Sequence, residues 1–95
     1  MQVYLQKRLN HVRIVPKDCL DKALDIESGI LAENQSVVVT QASNTHTQLF
    51  LISPDGIISP LHAPELALGY SAEATHPLVL VPKSEGLVFI ELITA

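Results

Sequence analysis

From Leu87 to Ile93 the chain reads LVFIELI, a stretch in which Glu91 is the one polar residue. In an extended strand successive side chains point to opposite faces, so Val88, Ile90 and Leu92 form one apolar face and Leu87, Phe89 and Ile93 the other. Two further stretches share this property: Leu49 and Leu51 oppose Phe50 and Ile52, and Leu78 and Leu80 oppose Val79 and Val81. A sheet with one face in water alternates apolar with polar residues, and these strands do not. Both faces need a cover. A single helix of three turns, about 16 Å long, is too short to cover a sheet, and closing the sheet into a small barrel covers one side only. The expectation is a homo-oligomer, a dimer first, with Leu87, Phe89 and Ile93 as interface candidates.

The remaining pattern is mainly that of an antiparallel β protein. Residues 1–8 and 11–15 read as two strands around Leu9 and Asn10, with Val12 and Ile14 alternating with Arg13. Pro16 then suits the first turn of a helix, and PKDCLDKALDI places Leu20, Ala23 and Leu24 on one stripe before Ser28 and Gly29 supply a stop. An amphipathic helix over about 16–27 is the expectation, with a short helical turn near 64–68 between Pro64 and Gly69. SVVVTQA and TQLFLIS read as strands, and Ser53-Pro54-Asp55-Gly56 as a tight turn leading into a hairpin with IIS. The fold class expected is α+β, a mainly antiparallel sheet or small barrel with one helix, in a single compact domain over residues 1–95. No internal repeat is legible.

Composition removes several classes. With 47% hydrophobic and 17% charged residues the chain is not of the disordered type, and no apolar run approaches the ~20 residues of a membrane helix. The N-terminus has its apolar residues before its charges, unlike a secretory signal. A lone Cys19 allows no internal disulfide, which suits a reducing compartment, so a cytoplasmic location is expected. The net charge is −4, yet five of the six basic residues lie within the first 22 positions. Lys7, Arg8, Arg13 and Lys17 make a basic N-terminal patch fit for an acidic partner.

Candidates for chemistry are sparse. No GxGxxG, GxSxG, CxxC or HExxH pattern is present, so no cofactor, metal or catalytic residue is assigned. His46 and His62 meet if 47–59 is a hairpin, and His76 lies in a loop within reach of both. Glu91, embedded in an apolar run, is the one candidate acid–base group, since burial would raise its pKa. Cys19 has no partner base in the sequence around it. The segment 60–76 is long and weakly patterned, and His62, Tyr70, Thr75 and His76 on it are the ligand-binding candidates. Residues 49–59 read as scaffold.

The stretch RIVPKDCLDKALDIESG, Arg13 to Gly29, resembles the strand–Pro–helix–turn core of the AbrB-like swapped-hairpin regulators, which are dimeric bacterial DNA-binding proteins. Ile14, Val15, Pro16, Leu20, Leu24 and Ile26 match its apolar positions. The resemblance implies DNA contacts by Arg8 and Arg13, against which stands the net charge of −4. The function expected first is therefore a homo-oligomeric binding module that recognises a small molecule or a protein partner through its loops. The alternatives are a DNA-binding regulator using the basic hairpin and a small-molecule enzyme with a Glu or His acid–base group.

Overall fold

The computed structural model describes residues 2–89. Glu91 and Ile93, with the roles expected of them, lie outside the described residues. Within that span eight strands form: β1 (Val3–Lys7), β2 (Val12–Pro16), β3 (Lys22–Ile26), β4 (Val37–Gln41), β5 (Phe50–Ile52), β6 (Ile58–Pro60), β7 (Leu66–Tyr70) and β8 (Leu78–Pro82). All their pairings are antiparallel, in a four-stranded sheet of order β1-β2-β5-β6 and two hairpins, β3-β4 and β7-β8. No helix is long and apolar enough to cross a membrane among these residues.

The helix expected over 16–27 is not formed. Pro16 ends β2, residues 17–21 turn, Lys22–Ile26 form β3, and Glu27–Gly29 is a single 3-10 turn. Leu20, which a helical stripe would bury, is 61% exposed, whereas Ala23, Leu24 and Ile26 are buried. The reason is the partner strand. Five consecutive pairs, from Lys22 opposite Gln41 to Ile26 opposite Val37, join KALDI to the β-branched VVVT of β4, and such pairing overrides a weak helical preference. Ser28 and Gly29, read as a helix stop, both have positive φ (66° and 69°) and turn the chain after a strand instead. The helical turn near 64–68 is also absent, because Leu66, Ala67 and Leu68 are consecutive, all buried, and part of β7. Three buried neighbours in a row fit a strand covered on both faces. The class is antiparallel β, not α+β, and the strand–Pro–helix core on which the AbrB-like resemblance rests is missing.

A repeat emerges from the hydrogen bonds. The amides of Lys17, Cys19 and Lys22 donate to Gln2, Pro16 and Cys19 carbonyls at 2.9, 3.2 and 3.0 Å. Those of Leu61, Ala63 and Leu66, each 44 positions on, donate to Leu49, Pro60 and Ala63 at 2.9, 3.3 and 3.0 Å. The ladders correspond as well: Val3, Tyr4 and Leu5 face Pro16, Val15 and Ile14, as Phe50, Leu51 and Ile52 face Pro60, Ser59 and Ile58. Strands β1 to β4 thus recur as β5 to β8. The two units meet where Phe50 bridges Val12 and where Ser36 bridges Val79, flanked by the bonds Asn34 N–H to Leu80 C=O and Leu80 N–H to Gln35 C=O (2.8 and 2.9 Å). Neighbouring strands therefore run in a circuit from β2 through β3, β4, β8, β7, β6 and β5 back to β2.

The core fills this circuit with Ile14, Leu24, Ile26, Phe50, Ile58, Leu66, Leu68 and Leu80 among others. Val79 and Leu80, neighbours on opposite faces of β8, are both fully buried, as are Ala67 and Leu68 on β7. The second faces of these strands are thus covered within the chain. Leu87 and Val88, by contrast, are 40% and 56% exposed. Phe89 packs against the core, its amide bonded to the Gly56 carbonyl at 2.8 Å.

Candidate functional site

The residues proposed from the 60–76 segment do not converge. Tyr70 is 63% exposed at the end of β7, and Thr75 and His76 are exposed in the following loop. The depression beside that loop is lined by Asn34, Ser71, Glu73, Ala74 and Val79 instead. His62 is exposed and stands against His46, their ring centroids 5.6 Å apart and their planes at 80°. His76 does not join them: no cluster of three His, Cys, Asp or Glu side chains that could hold a metal occurs among the described residues. Cys19 is exposed in the turn between β2 and β3.

The basic patch is also divided. Lys7 and Arg8 lie at the turn end of the β1-β2 hairpin, and Lys17 beyond its open end, past Pro16. Arg13 is engaged: its Nη2 donates to the Ser43 carbonyl at 2.6 Å and to Asn44 Oδ1 at 3.4 Å. Of the four patch residues that leaves Lys7 and Arg8 side by side, the Arg8 Nη1 donating to the Lys7 carbonyl at 3.4 Å.

They border a cleft of about 400 Å³ that the sequence does not advertise. Strands β2 and β5 are bridged at one pair alone, Val12 and Phe50, and beyond it they part. Leu5, Val12, Phe50 and Ile52 line the opening, with Lys7, Arg8 and His11 along one side and Ser53 and Pro54 along the other. The His11 Nδ1 sits 3.0 Å from Asn10 Oδ1. Leu9, at the hairpin tip, is fully exposed and borders the same opening. The Ser53–Gly56 turn is as expected, with Gly56 N–H bonded to Ser53 C=O at 2.9 Å and Gly56 at φ 90°. So part of 49–59, read as scaffold, borders this cleft.

A polar cluster elsewhere was not anticipated. The half-buried Asp25 carboxylate accepts bonds at Oδ1 from Thr47 Oγ1 (2.6 Å) and the Ile26 amide (2.7 Å), and at Oδ2 from Thr40 Oγ1 and Gln48 Nε2 (both 3.1 Å). Gln48 also donates to the Gln41 carbonyl and accepts from the Ser43 amide, each at 2.9 Å. Burial pushes the Asp25 carboxyl up, but the bonds from Thr47, Gln48, Ile26 and Thr40 outweigh it and hold it below the usual carboxylate range. With both oxygens doubly occupied, Asp25 has no acceptor capacity left for a ligand; it fixes β3, β4 and the His46–Gln48 turn to one another. The cue in the sequence is Gln48 two positions before Phe50, a polar residue entering an apolar run.

In the second unit the same position holds Gly69, and Val81 stands where Thr40 does. A Cβ on Gly69 would lie 2.4 Å from Val81 Cγ2, so close packing replaces the hydrogen-bonded cluster. Gly69→Ala is expected to cost about 2 kcal/mol through overpacking, read by urea denaturation. Adding Val81→Ala should relieve the clash, so that the two substitutions together cost less than their sum.

Compared with known proteins, the chain matches no family model, no curated protein and no solved structure.

Proposed function

We propose that the chain is a binding module whose site is the cleft between the β1-β2 hairpin end and β5, and that it takes a small apolar molecule bearing an acid group. The observation that carries this reading is the lining itself: Leu5, Val12 and Ile52 form an apolar bed with Lys7 and Arg8 at one side. At about 400 Å³ the cleft falls within the roughly 300–1,000 Å³ of small-ligand sites. Burying a ligand's chain against the bed supplies the driving force, and the two cations orient its acid end.

Decanoate titrated into the labelled protein, followed by amide NMR shifts, tests this. Leu5, Val12 and Ile52 should move together, and Lys7→Glu with Arg8→Glu should weaken binding by about tenfold or more. Decanol should bind weaker than decanoate. Equal binding of the two, or no shift with either at about 1 mM, sinks the proposal.

A further inference from the structure

Outside the cleft, we infer that His46 and His62 form a two-imidazole site for a divalent cation of the zinc or nickel type. The pair is made by the fold. His46 opens the 3-10 turn His46–Gln48 at the end of the first unit, and His62 lies in the turn after β6 in the second. Both turns are held by backbone bonds: Gln48 N–H to Thr45 C=O and Leu49 N–H to His46 C=O (3.0 and 3.3 Å) on one side, Leu61 N–H to Leu49 C=O and Ala63 N–H to Pro60 C=O (2.9 and 3.3 Å) on the other. Thr47, next to His46, is 1% exposed, and Ala63, next to His62, is 4% exposed, so the backbone beneath each ring is anchored.

The ring geometry fits one shared ion. A metal–nitrogen distance of about 2.1 Å puts two imidazole centroids roughly 4.5–5.5 Å apart around a tetrahedral or octahedral centre, and the observed separation is 5.6 Å. Small χ rotations of two exposed rings close the difference. Neutral imidazole suits zinc, nickel and copper over magnesium or calcium, which prefer oxygen. With no cluster of three candidate ligands here among the described residues, water completes the coordination shell, and the site is open rather than structural. An ion held by both rings ties the end of the first unit to the second, so it stabilises the folded chain through binding the native state alone.

The experiment is a Zn2+ titration of the protein carrying Cys19→Ser, which removes the exposed thiol, followed by the histidine ring proton signals and by the melting temperature. The His46 and His62 signals should move together and saturate at one equivalent while those of His11 and His76 stay in place, and the melting temperature should rise. His46→Gln and His62→Gln, both on exposed side chains, should each weaken binding by about tenfold or more and abolish the rise, with His11→Gln as the unaffected control. If all four histidines respond alike, if neither substitution weakens binding, or if nothing moves by about 1 mM Zn2+, the two rings are an edge-to-face aromatic pair and the inference falls.

Discussion

Phe50→Ala is expected to remove about 4 kcal/mol of stability, out of the roughly 5–14 kcal/mol that a chain of this length commands. Phe50 is the largest side chain with no exposed surface. It also stands at the join between the two units, bridged to Val12 on one side and paired with Pro60 on the other. Truncation therefore empties the centre of the core and loosens the seam that holds the hairpins together. The surrounding backbone is fixed by the β5-β6 ladder on one side and by the Val12 bridge on the other, which limits its collapse into the void. In urea the midpoint should fall steeply with little change of slope, and Phe50→Leu should restore more than half of the loss. A cost below about 1 kcal/mol would show that the site can close over the missing ring, contrary to the packing described.

Asp25→Ala should cost about 3 kcal/mol at neutral pH. Four donors converge on this carboxylate, two of them from Thr47 and Gln48, which are each 1% exposed. Deleting the acceptor leaves those donors facing a void. The pH dependence follows from the direction of the shift. Because the folded pKa lies below the unfolded value, the carboxylate's stabilisation is fully present above about pH 4 and fades as pH falls through the folded pKa. Denaturation of the native and Asp25→Ala proteins at pH 7 and near pH 2 should therefore show a gap that narrows in acid. A gap that stays constant would mean that the carboxylate's charge plays no part in holding the turn.

Much of the β architecture is legible from the residues. The first hairpin around Leu9-Asn10, the Ser53–Gly56 turn and the pairing of β5 with β6 all follow from alternation and turn chemistry. The helix over 16–27 does not, because Pro16 with a following Leu–Ala–Leu stripe looks the same whether it opens a helix or ends a strand; only the partner β4 decides. The repeat left a thin trace: Ile14, Pro16, Ala23 and Leu24 match Ile58, Pro60, Ala67 and Leu68 at equal spacing, while Asp25 against Gly69 and Thr40 against Val81 conceal it. The cleft was hidden for another reason. It exists because β2 and β5 separate after one bridge, and the divergence of two strands leaves no pattern along either of them.

The seam between Ser36 and Val79 sets the order in which contacts become worth forming. Joining β7 to β8 closes a loop of seven residues, 71–77, whereas joining Ser36 to Val79 spans 43 positions. By chain entropy alone the longer closure costs about 1.6 kcal/mol more. The bonds of Asn34 and Gln35 to Leu80, with Val79 and Leu80 buried beside them, have to return that entropy. The circuit of strands is thus held shut at a point where the chain gains least from its own connectivity, and its integrity depends on side chains that no local hairpin could have brought together.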